Sequence, residues 1–478
     1  MKIAVIYPPN PDQSLHLIRD EYVCRQVPSV PFPAMLAQLC AVMRSHFPSA
    51  EIRAIDASAE NFTLEQCAES VNGCEFAFLF STAQTIPFDV SLLLLINKKN
   101  PHTALFVINP LSAGLYAESI LTQFTFCAGI ITSGFLQAVP DITARYPDIQ
   151  TVHSVYLYEK NTVRYNPPDP CGIHYDALPY MAYDAVPLHR YSLAFLQAPF
   201  AEKLIPGIRM HTEHVFSIGN PYKGVEYPAM SAARIVEELA YAVKEWGIWG
   251  VDFLDKDFTK NTFRLEALCN LIITHSIRLQ WRCRSNSDTL TLPLLKLMYR
   301  AGCRELILTC SRTANQPQAE HELSVLNARL RLIHKTGIRA RIHFCVGFKW
   351  ESENTLNQIY RWIRSCTAGH IALLPVFPYT DQTDTVTIDK NLFTVEQKLL
   401  SDESFNQHFW CDTDHLSRET LRQLHVTAGN KAVEQCFIRT VIRHPFDYIR
   451  LLKQSRSFAH SRFLIGQGIA RLKQAIKQ

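Results

Sequence analysis

Short apolar runs alternate with amphipathic helical stretches from the first residues onward, and this alternation limits the fold more than any other feature. Five runs have the length and composition of strands that end in small or polar loops: KIAVIYPP, EIRAIDA, FAFLFSTAQT, ALFVINPLSAG and CAGIITSG. PAMLAQLCAVMRSHF, between the first two, has the period of an amphipathic helix. This order is typical of a parallel sheet covered by helices. We therefore predict an α/β fold that begins with a Rossmann-like parallel-sheet domain over residues 1–146.

The loops that follow these strands are the first candidates for ligand binding. Open parallel sheets hold their ligands at the carboxyl ends of the strands. Small and polar side chains in these loops are suited to lining a ligand pocket. The predicted cofactor-binding residues of this domain are Pro9, Asn10, Ser81, Thr82, Asn109, Ser112, Ser133 and Gly134.

A second alternating series follows a segment rich in Pro, Tyr and Asp, which we interpret as an ordered linker over residues 147–197. The second series includes ARIVEELAYAVKEWG, GVDFLDKDF, FRLEALCNLIITHS and LQWRCRS. Its length and repeating order predict a partial β/α, TIM-like barrel over residues 198–400. Residues 401–478 are predicted to form a basic helical C-terminal region.

Composition excludes several classes of protein. A formal net charge of +4 on 478 residues is too small to indicate nucleic acid as the partner. No apolar run reaches the length of a membrane span, and the N-terminus has no apolar segment of signal-peptide length. The 14 cysteines include no CxxC pair and indicate reduced thiols. We predict a cytoplasmic protein that binds a small-molecule ligand.

The last 48 residues carry ten Lys and Arg but only two acidic residues. The cations lie among Leu, Ile and Phe at helical spacing. We interpret this segment as a solvated helix packed on the barrel. Binding to a membrane surface or to a partner protein is the alternative.

The order of several phrases resembles the cobalamin-dependent radical SAM family over roughly residues 1 to 390. The phrases are YPPNP, VPSVPFPAMLAQLCAVM, EIRAID, LPYMAYD, IVEEL, FLDKDFT, LQWRC, LLKLMYRAGC, CVGFKWES and LLPVFPYTDQT. The resemblance implies a cobalamin-binding domain followed by a radical SAM barrel. It also implies ligand-binding roles in the barrel for Asp255, Arg284 and Ser311, although Ser311 in TCSR stands where the family has Glu.

The chain departs from the family where the iron–sulfur cluster is bound. The family's CxxxCxxC loop provides three thiolates to a four-iron cluster. The equivalent segment here, Gln197 to Tyr222, contains no cysteine. We therefore predict a degenerate member without a bound cluster and without a metal site. Cobalamin is retained as a candidate cofactor, and SAM as a weaker one. Cys283, Cys303, Cys310 and Cys345 lie at or beside predicted barrel strands and could replace these ligands, but we interpret them as structural thiols.

Three hypotheses for function follow, and the sequence does not decide whether the protein is an enzyme. The first is a pseudoenzyme or scaffold subunit of a biosynthetic pathway that still binds cobalamin and pairs with an active family relative or a pathway partner. The second is a cobalamin-dependent methyltransferase that uses polar rather than radical SAM chemistry. The third is a metalloenzyme that uses the His211/His214 loop, since HTEH offers two imidazoles around a carboxylate.

Overall fold

The computed structural model describes most of the chain, and two compact units are distinguished within it. The described ranges are 1–10, 16–19, 25–27, 30–82, 85–110, 116–169, 173–198, 201–213, 229–285, 289–310, 319–366, 370–375, 409 and 412–443. Contacts between Cα atoms group residues 1–192, 206–248 and 379–405 in the first unit. The second unit contains residues 193–205, 249–378 and 406–478.

The first unit is built on a seven-stranded sheet. The strands of this unit are β1 (Lys2–Tyr7), β2 (His16–Ile18), β3 (Arg25–Val27), β4 (Glu51–Asp56), β5 (Phe76–Phe80), β6 (Ala104–Ile108), β7 (Cys127–Ile131), β8 (Val155–Glu159) and β9 (Thr162–Asn166). β2 and β3 form a separate short hairpin. The sheet order is β4-β1-β5-β6-β7-β8-β9. The five strands from β4 to β7 in this order are parallel. β8 and β9 are added antiparallel at one edge.

Helices follow the parallel strands as the hydrophobic pattern predicts. The helices of this unit are α1 (Ala34–His46), α2 (Ala57–Glu60), α3 (Leu64–Glu69), α4 (Ile86–Lys99), α5 (Ala117–Gln123), α6 (Phe135–Arg145) and α7 (Ala232–Trp246). Strand β5 is buried at all five positions because it is central and has apolar neighbours on both sides. The Rossmann-like sheet predicted for the start of the chain is confirmed.

The hairpin of β8 and β9 lies inside the segment interpreted as a linker. Lys160 and Asn161, at its tip, both have positive φ, which suits a tight turn of the primed type. Tyr156 and Tyr165 stack across the two strands with ring centroids 4.2 Å apart. The hairpin was not predicted from the sequence, because each strand has only five residues and prolines and aspartates surround them.

The rest of this segment is fixed by a buried carboxylate. Glu238 on α7 accepts hydrogen bonds from the main-chain nitrogen of Met181 at 2.9 Å and from the hydroxyl of Tyr183 at 3.1 Å. Arg234, one turn earlier on α7, donates to the same carboxylate at 3.0 Å. Burial raises the pKa of Glu238, and these donors oppose that shift. These hydrogen bonds hold the segment LPYMAYD against α7.

In a second sheet, the strands lie side by side in the same order as in the sequence. Its strands are β10 (Ser192–Ala198), β11 (Ala201–Met210), β12 (Gly250–Phe253), β13 (Gln280–Ser285), β14 (Cys303–Cys310), β15 (Arg339–Val346) and β16 (His370–Pro375), in that order. β12 to β16 are parallel. The helices between them are α8 (Thr262–Thr274), α9 (Leu292–Arg300), α10 (Ala319–His334) and α11 (Glu353–Ser365). This repeat is the predicted partial β/α barrel.

The C-terminal region is helical as far as the structure describes it. Helix α12 (Arg418–Leu424) continues through a π-helical turn, His425–Gly429, into α13 (Asn430–Arg443). This agrees with the predicted helical extension. The basic segment after residue 443, with its predicted surface role, lies outside the described residues. In the part of the chain that the structure describes, no helix has the length and apolar character needed to cross a membrane.

Two glycines with positive φ provide a matched test of turn geometry. Gly302, before β14, has φ of +100°, and a Cβ there would lie 2.4 Å from the oxygen of Leu279. Gly247, after α7, has φ of +63°, and a Cβ there would meet no atom within 4 Å. We expect Gly247→Ala to cost about 1 kcal/mol and Gly302→Ala more than about 2 kcal/mol, since only the second adds a clash with backbone. Urea unfolding of both variants measures this difference, and equal losses would contradict it.

Candidate functional site

The predicted loops of the first unit meet at one edge of the sheet because all of them follow parallel strands. Pro9 and Asn10 follow β1, Ser81 and Thr82 follow β5, and Asn109 follows β6. Asn10 donates to the hydroxyl of Ser58, beyond β4, at 2.6 Å. Ser112, also predicted for this edge, lies outside the described residues. The sheet reverses its order around β1, and such a reversal is where open α/β sheets form a ligand crevice.

A buried ion pair organises the loop after β5. Arg19, which follows β2, donates to both carboxylate oxygens of Asp89 on α4, at 2.7 and 3.1 Å. The same guanidinium donates to the hydroxyl of Thr85 at 2.6 Å, and Ser81 donates to Asp89 at 2.7 Å. Thr82 exchanges hydrogen bonds with Thr85. Ser81 and Thr82, predicted to contact a cofactor, are thus also part of the internal structure of this loop.

A partly open pocket, with about 280 Å³ of empty space that includes open solvent, lies beside this ion pair. Its lining includes Tyr7, Arg19, Asp56, Ser58 and Arg209. Asp56 accepts a hydrogen bond from the hydroxyl of Tyr191 at 2.9 Å and caps α2 through the nitrogen of Ala59. Polar side chains from four different segments therefore surround the carboxyl ends of β1 and β4.

A larger, partly open pocket lies where α1 and α6 begin; its empty space, including open solvent, is about 420 Å³, and we call it the 420 Å³ cavity. Most of its wall is apolar, and its polar contributors are Gln38, Ser133, His211 and Glu213. The apolar wall and the one tyrosine are Ala34, Met35, Phe135, Leu136, Tyr175, Leu178, Met181 and Met230. The first residues of both helices are in this wall, and neither N-cap residue caps its helix with a side chain. An apolar cavity with a few convergent polar groups is the usual form of a small-molecule site.

Ser133 contributes a buried hydroxyl to the wall of this cavity. It is 3% exposed, and its hydroxyl makes no hydrogen bond within the described residues. Gly134, directly after it, lies so close to Ser154 that a Cβ would be 2.1 Å from the Ser154 hydroxyl. A buried hydroxyl without a partner costs stability, and a bound ligand would supply that partner. Ser133 thus lies in the wall of this candidate site, and Gly134 follows it in the chain.

The His211/His214 loop is described only in part. His211 and Glu213 are in the wall of the 420 Å³ cavity, whereas His214 lies outside the described residues. Glu213 forms an isolated antiparallel bridge with Ala229. Among the described residues, no three His, Cys, Asp or Glu side chains form a group that could hold a metal ion. The metalloenzyme hypothesis stays a prediction.

The barrel residues predicted to bind a ligand lie near the carboxyl ends of its strands. Arg284 is on β13, 3.8 Å from Asp252 of β12, and donates to the main-chain oxygen of Phe253 at 3.1 Å. Asp255, just after β12, lies 3.9 Å from Arg264. Ser311 is outside the described residues. Arg284 is therefore part of a charged strand face, and Asp255 is part of the loop beside it.

The cysteines of the barrel strands are mostly buried. Burial raises the pKa of Cys283 and Cys303, and it raises that of Cys345 to about 12, so these thiols stay protonated at neutral pH. Cys283 and Cys303 are fully buried. This agrees with their interpretation as structural thiols.

Comparison with known sequences found one curated relative. It is an uncharacterized methyltransferase of Pyrococcus horikoshii, 21% identical over 398 residues, which are 79% of this chain and 81% of the relative. No family model matches the chain. The relative's length and coverage show that the likeness spans most of both proteins.

Two solved proteins are similar in fold to most of this chain. The cobalamin-dependent S-adenosylmethionine radical enzyme OxsB matches with a TM-score of 0.58 at 12% identity, over 98% of this chain and 71% of that one. TsrM of Kitasatospora setae, a radical S-adenosylmethionine methyltransferase solved with cobalamin and an iron–sulfur cluster, matches with a TM-score of 0.55 at 11% identity, over 80% of this chain and 76% of that one. The chain has the fold of cobalamin-dependent radical SAM enzymes, as the order of its phrases predicts.

Two residues of the candidate site were not identified from the sequence. Asp89 is a carboxylate within the apolar run IPFDVSLLLLI, and a charge in such a run could have indicated a buried ion pair. Arg19 had no such signal. Its role depends on the hairpin of β2 and β3, which brings it to a helix 70 residues further along the chain.

The pair of Arg19 and Asp89 gives a test of how this edge is held together. Asp89→Asn removes a carboxylate that lies 2.7 Å from a buried guanidinium, and we expect it to cost about 3–5 kcal/mol. Glu69→Gln removes an exposed ion pair to Lys99 at 2.8 Å and should cost less than about 1 kcal/mol. Chemical denaturation of the two variants measures both values. A loss below about 1 kcal/mol for Asp89→Asn would contradict this role.

Proposed function

We propose that this chain is a corrinoid-binding protein of the methyltransferase class, in which the 420 Å³ cavity at the start of α1 and α6 holds the nucleotide tail of cobalamin. The observation that carries the proposal is the buried Ser133 hydroxyl, which lines this cavity without a hydrogen-bond partner among the described residues. The relatives support the class. One is named a methyltransferase, and a structure of the same fold was solved with cobalamin bound.

The cavity suits the chemistry of such a tail, which consists of an aromatic base, a ribose and a phosphate. Apolar side chains such as Met35, Leu136 and Met181 would contact the base. Two helices begin at the cavity, and the N-terminal ends of helices favour an anion such as a phosphate. The Ser133 hydroxyl would donate to the phosphate or the ribose. The corrin ring would then lie at the strand ends that carry Asn10, Ser81 and Asn109.

When bound, cobalamin supplies a cobalt centre that can carry a methyl group. The chain's contribution is to bind and orient it. Arg19 and Asp89 hold the loop with Ser81 and Thr82 in one conformation. Asn109, which is fully buried, is held by a hydrogen bond to the hydroxyl of Tyr116. A fixed set of donors lowers the entropy that binding must overcome.

We propose that this protein uses polar methyl transfer rather than radical chemistry because of the sequence between Gln197 and Tyr222. That segment has none of the three thiolates that a radical SAM cluster requires. SAM would be the methyl donor for such a transfer. A scaffold subunit that binds cobalamin without turnover is the second candidate, and the same missing cysteines favour it.

Cobalamin binding is tested on the full chain with hydroxocobalamin under anaerobic conditions. We expect one equivalent to be retained and its absorption spectrum to change. Ser133→Ala should weaken binding about tenfold, since one hydrogen bond to a charged or polar partner is lost. It should leave the stability of the free protein unchanged or slightly higher, because the hydroxyl has no partner there. Ser133→Leu should abolish binding by filling the cavity.

Ser119→Leu, on α5 and outside both cavities, is the control for added volume and should bind normally. Equal affinity of Ser133→Leu and the unmodified chain would refute the proposed position of the tail. Formation of S-adenosylhomocysteine from SAM by the loaded protein, without added iron and sulfide, would distinguish the methyltransferase from the scaffold subunit. Stoichiometric iron after reconstitution would contradict the assignment of polar chemistry.

A further inference from the structure

The parallel strands of the second unit begin at one edge of their sheet, which we call the amino edge. The residues that enter the strands there are Trp249 before β12, 275–279 before β13, 301–302 before β14 and 335–338 before β15. Because the strands are parallel, these segments lie together and away from the carboxyl ends of the same strands. Asp255 and Arg284, the candidate ligand residues of the barrel, lie toward those carboxyl ends.

Hydrogen bonds join neighbouring segments of the amino edge. The main-chain nitrogen of Gln280 donates to the oxygen of Trp249 at 2.8 Å. That of Trp281 donates to the oxygen of Gly302 at 3.1 Å. The entries to β12, β13 and β14 therefore form one continuous surface.

This surface is cationic. Arg278, Arg300 and Lys335 are exposed, and in the part of the chain that the structure describes none of the three forms an ion pair. Arg304 lies beside them, with its guanidinium 4.3 Å from the ring centroid of Tyr299. Asp and Glu are absent from the sequence over 267–287, 289–304 and 323–338. A cation in the last turn of a helix, such as Arg300, suits the helix dipole, but Arg278 lies beyond the end of α8.

Large apolar side chains are exposed at the same edge. Trp249 is 67% exposed and Leu204 is 58% exposed. A Cβ on Gly250 would lie 2.7 Å from Ile205, so Trp249 and Leu204, each next to one of these residues, lie at one corner of the sheet. Exposed apolar groups of this size beside cations indicate an interaction surface.

We propose that the amino edge of the half-barrel is a docking surface for a lipid membrane with anionic headgroups. Lys and Arg near such a membrane are attracted to its negative surface. Trp249 and Leu204 enter the headgroup region, where Trp side chains are favoured. Docking by the amino edge turns the carboxyl ends of the strands away from the lipid. The inference uses only the second unit and does not depend on cobalamin binding.

The phosphates of a nucleic acid would also attract these cations. Two observations favour lipid. Leu204 is aliphatic and cannot stack on a base, whereas it gains by leaving water for the headgroup region. The formal net charge of the whole chain, +4, is small for a protein that binds nucleic acid.

The test is sedimentation of the full chain, without cobalamin, with sucrose-loaded vesicles. We expect the chain to bind vesicles of phosphatidylcholine mixed with phosphatidylglycerol, to bind less as sodium chloride is added, and to stay in solution with phosphatidylcholine alone. The triple variant Arg278→Gln/Arg300→Gln/Lys335→Gln should lower the partition coefficient on the order of a hundredfold, since each cation contributes about fivefold. Trp249→Ala should lower it about fivefold.

Matched controls remove the same groups elsewhere. Lys98→Gln/Lys160→Gln/Lys349→Gln changes three exposed cations, of which Lys349 follows β15 at its carboxyl end. Phe263→Ala removes an aromatic side chain that is 86% exposed at the start of α8, also near the carboxyl ends. Both controls should bind within about twofold of the unmodified chain, because exposed charges are screened beyond about 10 Å.

A fluorescence measurement tests the contact without changing any cation. Brominated phosphatidylcholine in the mixed vesicles should quench the tryptophan emission of the unmodified chain more strongly than that of Trp249→Phe. Equal quenching of the two proteins would contradict the entry of Trp249 into the headgroup region.

Three outcomes would overturn the proposal. One is the absence of binding to the mixed vesicles. Another is equal sedimentation of the two triple variants, which would assign lipid binding to another part of the chain, such as the basic segment after residue 443. The third is binding of single-stranded RNA in place of vesicles, lost in the variant of Arg278, Arg300 and Lys335, which would identify a nucleic-acid surface.

Discussion

Burying a guanidinium or a carboxylate costs several kcal/mol unless an opposite charge lies close to it, and both units of this chain depend on meeting that condition. In the first unit, Arg19 and Asp89 form a pair that fixes the loop after β5. Arg234 and Glu238 hold the segment before α7 in the same way. In the second unit, Asp252 and Glu305 hold three arginines on one strand face. These pairs determine where the site loops lie.

The condition is met in different ways in the two units. In the first unit, Arg19 with Asp89 and Arg234 with Glu238 are pairs of one cation and one carboxylate. On the strand face of the second unit, Arg282, Arg284 and Arg341 share Asp252 and Glu305. A single pair fixes one loop or helix to one neighbour, whereas a shared network joins several adjacent strands.

Much of the fold could be predicted from the sequence because its signal is local. KIAVIY, FAFLF and ALFVI each form a strand at the expected place, and AMLAQLCAVMRSH forms the helix between them. The repeat of helix and strand after residue 230 gave the half-barrel. The hairpin of β8 and β9 was missed because five-residue strands between prolines give little periodicity. Its turn at Lys160 and Asn161 was the available signal.

The sequence by itself determined the alternation of elements, and through it the edge where Asn10, Ser81, Asn109 and Ser133 come together. Parallel strands require this, whatever the loops contain. The absence of cysteine from Gln197 to Tyr222 is likewise a fact of the sequence. Only the tertiary structure decided which polar groups are satisfied within the protein. Ser81 and Ser133 look alike in the sequence, but one is bound to Asp89 and the other lines a cavity without a partner among the described residues. The physical reason is that hydrogen bonds and ion pairs join residues far apart in the chain, so their partners are fixed by packing and not by local pattern.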